Sequence, residues 1–371
     1  MKRLTEKQWR RAVRRAAARR RLERARLRRR LSKGVTPPPL PPERIAAWEL
    51  AAKLPRIRPT RKSVWNARVV APETLHFGMN HDGVCEFTQH IRVLMAGRYP
   101  TYLDFTKVKE AGPAAALYVA AEVDRWRHFR YAWGRPRVYD FHDWNPAIRR
   151  YFLDLGLFEL LNVSNPPDDP PTMSKQLVLK MRRNHMIVPE DVTALRDQLH
   201  RLCGSVPNRL SFFDAISEAM SNVMHHAYKD PDPNGWPRLE NYWWMTADFE
   251  PQTATLRIAF LDQGVGIPMR LPRSGLSEAL VGILARLGQN DDAARIEAAL
   301  EYGRTSTGQP GRGKGFHDMQ MFVDGEPSNW MRVLSGQGEC IYRSKQVRPV
   351  RHAAPVVGTV VEWSLVVPGV R

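Results

Sequence analysis

Residues 218–228 read EAMSNVMHHAY and lie in a longer periodic segment. Between residues 211 and 228, apolar side chains recur every three or four positions, which predicts an amphipathic helix. Glu218, Asn222 and His226 follow one another at intervals of four, so a regular helix would place them on one side. A carboxylate, an amide and an imidazole in one row can address a metal–phosphate unit, because Mg²⁺ prefers oxygen ligands. The alternative is a polar helix face that only meets solvent.

A second motif, DQGVGIP, occupies residues 262–268. It directly follows ATLRIAFL at residues 254–261, an alternating, β-rich run that predicts a strand. A carboxylate at the end of that strand, Asp262, can accept a hydrogen bond from the exocyclic amine of adenine, where guanine presents a carbonyl. Gly264 and Gly266 allow the backbone to turn sharply and approach a base closely.

A third motif comprises Gly311, Arg312, Gly313, Lys314 and Gly315, followed by an apolar periodic stretch. Glycines free backbone N–H groups to surround phosphate, and Arg312 or Lys314 can supply a positive charge. The motif is not a P-loop, because no Ser or Thr follows Lys314 and the four-residue spacer is missing. No buried strand precedes it, which also excludes a dinucleotide-binding fingerprint.

The order and spacing of these motifs resemble the GHKL family (gyrase, heat-shock chaperone, histidine kinase, MutL). Residues 218–228 look like its N-box, in the form found in anti-sigma-factor serine kinases, and the other two motifs look like its G1 and G2 boxes. The resemblance implies that residues 171–371 form an α/β sandwich, a helical layer on a mixed sheet, which binds ATP and Mg²⁺. It also implies that Thr359, on a strand predicted over residues 356–365, helps Asp262 to hold adenine.

The residues that the resemblance assigns have three roles. Glu218 would be catalytic, as a general base, and Asn222 would bind the metal. The implied ATP-binding residues are Asn222, His226, Asp262, Gly264, Gly266, Gly311, Arg312, Gly313, Lys314, Gly315 and Thr359.

A long segment, residues 270–310, separates the second motif from the third. Helices are predicted over residues 277–287 and 291–302, followed by a Gly-, Ser- and Thr-rich run. A movable segment between two phosphate-facing motifs is a candidate ATP lid. The alternative is an ordinary surface insertion.

The middle region, residues 64–164, alternates helix and strand signals, which predicts an α/β layer fold. The predicted elements are a helix over 83–96, a strand over 102–105, a helix over 113–126, a strand over 137–141 and a helix over 145–155. LDFT at residues 103–106 and the stretch NPAIRRYF…LGL at residues 145–157 resemble a STAS domain, which implies a protein partner. Ala114 stands where switch-type members carry a phosphorylated Ser, so a phosphoacceptor at that position is excluded.

The net charge of the 371-residue chain is +19, and most of it lies in one basic tail, residues 1–34. The tail has 16 Lys or Arg and two Glu, a net charge of +14. It is rich in helix formers, and we expect a helix that is marginal alone or forms on a partner. Its charge suits nucleic acid, an anionic membrane surface or an acidic protein, and a solvated tail is the alternative. Residues 35–63 are predicted to be a Pro-rich linker.

Composition bounds the remaining expectations. No apolar run is long enough for a transmembrane helix, and no signal peptide is visible. The three cysteines form no CxxC pair, which fits a reducing cytoplasm. We therefore expect a cytoplasmic α/β protein in which the STAS-like and GHKL domains follow the basic helical tail. No phosphoacceptor motif of a complete sensor histidine kinase is present, so a switch kinase, a slow ATPase and a non-catalytic nucleotide-binding module all stay open, as does a homodimer.

Overall fold

The structure is a computed structural model in which the following residues are described: 41–58, 65–129, 136–164, 166, 176–186, 189–232, 235–271, 278–287, 291–305 and 315–367. All statements below concern these residues. The basic tail and Gly311–Lys314 of the third motif lie outside them.

The first described helix, α1 at Pro42–Lys53, corrects the prediction of a linker over residues 35–63. Pro42 begins this helix, at a position where the missing N–H group has no intrahelical partner to lose. Ala47 and Ala51 are buried, and the helix packs on the middle region. Strand β1, Arg56–Ile57, then pairs with the first strand of that region, so residues 42–57 belong to the fold.

The middle region alternates short strands and helices, as predicted. Its elements are β2 (Asn66–Val70), β3 (Thr74–Leu75), α2 (Phe77–Ala96), β4 (Thr101–Asp104), β5 (Glu110–Ala111), α3 (Pro113–Phe129), α4 (Pro146–Leu155) and α5 (Leu157–Leu161). Strands β2 and β4 are parallel neighbours, and β3 and β5 form a separate parallel pair. Parallel neighbours joined through helices are characteristic of α/β layer folds.

Two predicted elements of the middle region differ from the structure. Helix α2 begins before residue 83 but is kinked at Asn80, whose side chain accepts a hydrogen bond from the Gly83 N–H at 3.2 Å. Asn80 therefore caps the regular part of the helix, close to the predicted start. The strand predicted over residues 137–141 is wrong: only Arg137 bridges to Tyr102, and Phe141–Asp143 form a turn of 3₁₀-helix. Beyond Arg137 the contact with strand β4 is through side chains, since the Tyr102 hydroxyl donates to Asp140 at 2.8 Å.

The C-terminal region is built on a five-stranded sheet. Its strands are β6 (Leu177–Asn184), β7 (Trp243–Glu250), β8 (Thr255–Asp262), β9 (Trp330–Arg343) and β10 (Gln346–Val366), in the order β6-β7-β8-β10-β9. Its helices are α6 (Pro189–Cys203), α7 (Arg209–Asn222), α8 (Ile267–Arg270), α9 (Glu278–Leu287), α10 (Asp292–Thr305) and α11 (Gly315–Met321).

This sheet is antiparallel at every neighbouring pair, so the predicted mixed sheet is wrong. Strands β8 and β9 run in the same direction, because both are antiparallel to β10. They are not neighbours, since β10 lies between them. A parallel pair would form if β8 and β9 were side by side. Strand β10 returns between them and pairs antiparallel with both, so no parallel pair forms.

Both faces of the sheet are covered. Helices α6, α7, α10 and α11 pack on one face, where Phe212, Ile216, Ile296 and Leu300 are fully buried against strands. Helices α2, α3 and α4 of the middle region cover the other face, and their apolar side chains form one cluster with those of the sheet. The strand residues in that cluster are Trp244, Ala259, Leu261, Leu334, Val356 and Val360, and Leu239 joins them from the segment before β7. The middle region and the sheet therefore share a hydrophobic core.

Within the described residues, no helix combines the length and the apolar character that crossing a bilayer requires. The three cysteines are buried and free.

Because the core is shared, we expect the middle and C-terminal regions to unfold in one transition. Leu261 is fully buried between them, and Leu261→Ala should lower the free energy of unfolding by about 2–5 kcal/mol. The matched control is Leu210→Ala, because Leu210 is 80% exposed and its loss should change stability by less than about 0.5 kcal/mol. Urea unfolding followed by tryptophan fluorescence and by circular dichroism measures both. Two separated transitions would contradict a shared core.

Candidate functional site

Polar side chains form a row across one end of the sheet. Asp262 is the last residue of β8 and pairs with Trp243 of β7 and Thr359 of β10, while Thr359 also pairs with Ser335 of β9. Side chains alternate between the faces of a strand, and Phe260 belongs to the core under the helical layer. Asp262 and Thr359 therefore face the helical layer.

The loop after Asp262 depends on two glycines. The Gly264 N–H donates to the Asp262 carboxylate at 2.8 Å. A Cβ at Gly264 would lie 2.1 Å from the Ala227 carbonyl oxygen, so any side chain would force the loop away from the helix end. Gly266 has φ +84°, a backbone conformation that favours glycine. The sharp turn predicted for these glycines is therefore present, and the close backbone approach at Gly264 is to the end of the preceding helix; approach to a base stays a prediction.

The end of the predicted N-box helix is fastened to this loop. The Ala227 carbonyl accepts a hydrogen bond from the Val265 N–H at 2.9 Å. The Tyr228 hydroxyl accepts one from the Gln263 N–H at 2.9 Å and donates to the Tyr242 carbonyl at 2.7 Å. The first two motifs are thus adjacent in space, as their assignment to one site predicted.

Glu218 and Asn222 lie half-buried on α7. Burial and the nearby Asp318 carboxylate of α11 together raise the pKa of the Glu218 carboxyl to about 7, although a hydrogen bond from the Asn222 side chain opposes the shift. A carboxyl poised near neutral pH suits a general base, and perturbed groups of this kind concentrate at functional sites.

His226 does not continue the row that Glu218 and Asn222 begin. After Asn222 the helix widens into one turn of π-helix over Val223–Ala227, which rotates the following side chains away from their α-helical positions. His226 is exposed, whereas Glu218 and Asn222 are half-buried. The prediction of one row of three is therefore wrong at its third member, and nucleotide contact by His226 stays a prediction.

The third motif can be followed only from its last glycine. Gly315 begins α11, which packs beside α7: the rings of Phe212 and Phe322 are 5.7 Å apart, and Met319 is buried. The helix that follows the predicted phosphate loop is thus a neighbour of the helix that carries Glu218 and Asn222. Arg312, Gly311, Gly313 and Lys314 themselves lie outside the described residues.

The predicted lid segment contains both expected helices, α9 and α10. Helix α10 packs on β9 through Ile296 and Leu300, so it belongs to the helical layer and is neither a lid nor a surface insertion. The Arg295 guanidinium donates to the Pro268 carbonyl at 2.9 Å, which joins α10 to the residues after the second motif. Residues 306–314 lie outside the described residues, so the lid hypothesis for them stays a prediction.

Three contacts at the site were not foreseen from the sequence. The Ser335 hydroxyl donates to the Gly358 carbonyl at 2.8 Å and accepts from the Ile267 N–H at 3.0 Å. The fully buried Arg125 of α3 donates to the Gln263 side chain at 2.8 Å. Gln263 lies within the second motif. Nothing in the local sequence marks Ser335 or Arg125, because the sheet and the middle region bring them to the site from far along the chain.

No protein-family model and no curated protein matches this chain.

The Asp262 carboxyl is only 7% exposed, and burial raises its pKa to about 6, although hydrogen bonds from Gly264 and Thr359 oppose the shift. A folded-state pKa above the usual value of about 4 means that ionised Asp262 destabilises the fold. The cost is absent below about pH 4, grows as the pH rises to about 6 and then stays constant.

Asp262→Asn should therefore raise the free energy of unfolding at pH 8, by at most about 2–3 kcal/mol at 1.36 kcal/mol per pKa unit. The gain should disappear near pH 4, where the wild-type carboxyl is protonated in both states. Urea denaturation across this pH range measures the difference. Asp143→Asn is the control, because Asp143 is exposed and its replacement should leave stability nearly unchanged at every pH. A destabilised Asp262→Asn protein at pH 8 would contradict the cost assigned to the buried carboxylate.

Proposed function

We propose that residues 171–371 form a GHKL-like domain that binds Mg-ATP, and that the chain is a regulatory protein in which the nucleotide controls a protein partner. The observation that carries the proposal is the buried Asp262 carboxylate, which lies at a strand end beside Thr359 and faces the helical layer. An ionised carboxylate there accepts a hydrogen bond from the amine of adenine and repels the carbonyl of guanine.

The helix beside Asp262 supplies the proposed metal and catalytic groups. Asn222 offers an amide oxygen to Mg²⁺, which binds few protein ligands and keeps several waters. Glu218, one turn away with a pKa of about 7, would orient or deprotonate a water or a hydroxyl group. The phosphates would be held by Gly311, Arg312, Gly313, Lys314 and Gly315, beside α11.

The middle region, which we propose to be STAS-like, contacts the residues next to the adenine site. Arg125 of α3 holds the Gln263 side chain, and the Tyr118 hydroxyl accepts the Val357 N–H at 2.9 Å. Gln263 follows Asp262 directly, and Val357 is two residues before Thr359. These contacts support a role for the middle region in transmitting nucleotide occupancy to a partner. The basic tail, residues 1–34, is proposed to bind an acidic partner or nucleic acid in a salt-sensitive manner.

The binding prediction is specific for adenine. Titration calorimetry with Mg²⁺ should detect ATP and not GTP. Thr359→Val, Asp262→Asn and Asn222→Ala should each weaken ATP binding by at least about tenfold, since a hydrogen bond to a charged group contributes about 1.5–3 kcal/mol. Binding should also weaken below about pH 6 as Asp262 takes up its proton. Adenosine should show the same pH dependence, which separates Asp262 from the phosphates, whose second pKa is also about 6.

Asp143→Asn again serves as the matched control and should bind ATP like the wild type. Wild-type affinity in both Asp262→Asn and Asn222→Ala would remove the proposed site.

The fate of the γ-phosphate distinguishes the three possible functions, which are a kinase, an ATPase and a non-catalytic nucleotide-binding module. Incubation with γ-labelled ATP, with and without lysate, should transfer label to water for an ATPase or to a protein for a kinase. In either case Glu218→Gln should keep ATP binding and reduce turnover by about 10²–10⁴-fold, the usual contribution of general base catalysis. Unchanged turnover in Glu218→Gln would remove Glu218 as the base. If the wild type releases or transfers no label but binds ATP, the chain is the alternative, a non-catalytic nucleotide-sensing interaction module.

A further inference from the structure

Two histidines and a glutamate converge where the middle region meets the hairpin of β9 and β10. They are His81 of α2, Glu339 of β9 and His352 of β10, and one potential ligand atom of each lies within 4.8 Å of the other two. His81 and Glu339 are 5% and 3% exposed, and His352 is half-buried. The cluster lies apart from the proposed nucleotide site, on the opposite face of the sheet.

Hydrogen bonding fixes the tautomer of His81. Its Nε2 atom is 2.9 Å from the Ala354 carbonyl oxygen, which can only accept, so Nε2 carries the proton. The lone pair is then on Nδ1, which is buried and has no hydrogen-bond partner among the described residues. A neutral imidazole that donates one nitrogen to a backbone carbonyl and leaves the other bare has the arrangement of a metal ligand.

Glu339 is oriented by its neighbours. Its Oε2 atom is 2.5 Å from His352 Nε2, and its Oε1 atom accepts from Arg332 Nε at 2.7 Å. Arg332 also donates to the Glu362 carboxylate at 2.6 Å. The guanidinium charge is thus shared by two carboxylates, which leaves a net negative charge beside the two imidazoles. A cation at this position is therefore favoured electrostatically, and a hydrogen-bonded carboxylate is held ready to ligate it.

We propose that His81, Glu339 and His352 bind one divalent transition-metal ion of the zinc type, with water completing the coordination. Two imidazoles and one carboxylate are a ligand set that such ions accept. The two rings are now stacked, with centroids 3.6 Å apart and planes 6° apart, so their lone pairs do not converge. Binding requires one ring to turn, and His352 is the less buried of the two. The ion would join α2 to the β9–β10 hairpin and fix the middle region on the sheet.

The test uses the full chain without a polyhistidine tag, stripped with a chelator and titrated with Zn²⁺ by calorimetry and with Co²⁺ by visible absorption. We expect one Co²⁺ per chain with ligand-field bands of a low-coordinate site, and a rise in melting temperature with Zn²⁺. His352→Ala should weaken Zn²⁺ binding by at least about 10–100-fold, the loss that even an outer-shell partner causes. His142→Ala is the matched control, because His142 is exposed and outside the cluster.

Further variants make the outcome unambiguous. His225→Ala tests adventitious binding by the exposed His225–His226 pair, and it should leave Co²⁺ binding unchanged. The melting temperature of metal-free His352→Ala verifies that this variant folds, and His81→Asn should lose the metal in the same way. Absence of stoichiometric binding by the wild type, or binding that persists in His352→Ala or disappears only in His225→Ala, would overturn the proposal.

Discussion

The burial of β8 on both faces is the constraint on which the rest of the structure depends. The helical layer covers one face of this central strand, and the middle region covers the other. Seven of the eight residues with which it pairs in β7 are themselves buried. A strand in this position must end where its last backbone N–H and C=O groups find hydrogen-bond partners within the protein. It ends at Asp262, whose carboxylate accepts the Gly264 N–H and thereby starts the turn that meets the end of α7. The same burial that organises the sheet therefore removes the candidate site from solvent.

The face of the sheet that meets the middle region is polar as well as apolar. Asp248 and Arg257 form a cross-strand ion pair at 2.8 Å, and the Tyr151 hydroxyl of α4 donates to the same carboxylate at 3.0 Å. The Trp244 indole likewise donates to Asp124 of α3 at 3.0 Å. Buried pairs of this kind add little net stability, but breaking one costs about 3–5 kcal/mol because it leaves a buried charge alone. Any other placement of the middle region on the sheet would break these pairs and cost free energy. The pairs therefore specify the orientation of the middle region more than they stabilise it.

Local patterns were enough to predict the elements that carry the site and not enough to predict how they assemble. The strand ending at Asp262, the helix with Glu218 and Asn222, and α3 all follow from periodicity and from turn-forming residues. The alternation in β8 predicts one apolar face and one polar face that is open to water. It therefore could not predict that the middle region packs on the polar face and covers Arg257. The insertion of β10 between β8 and β9 and the arrival of Arg125 at Gln263 are long-range pairings. The π-turn after Asn222 depends on the loop contacts of Ala227 and Tyr228, which no local spacing encodes.

The contact between Arg125 and Gln263 gives the proposed coupling a physical basis. Arg125 is fully buried, its two terminal guanidinium nitrogens have no hydrogen-bond partner among the described residues, and the nearest carboxylate, Glu122, is 3.8 Å away. Burial lowers the pKa of this guanidinium, so the charge is held at a cost. Its hydrogen bond to Gln263 and its ion pair with Glu122 therefore both stabilise a buried charge. Under the proposed function, a nucleotide that displaces the Gln263 side chain would break this hydrogen bond in the middle region. A hydrogen bond to a charged group contributes about 1.5–3 kcal/mol, which is the size of typical allosteric coupling, about 1–3 kcal/mol.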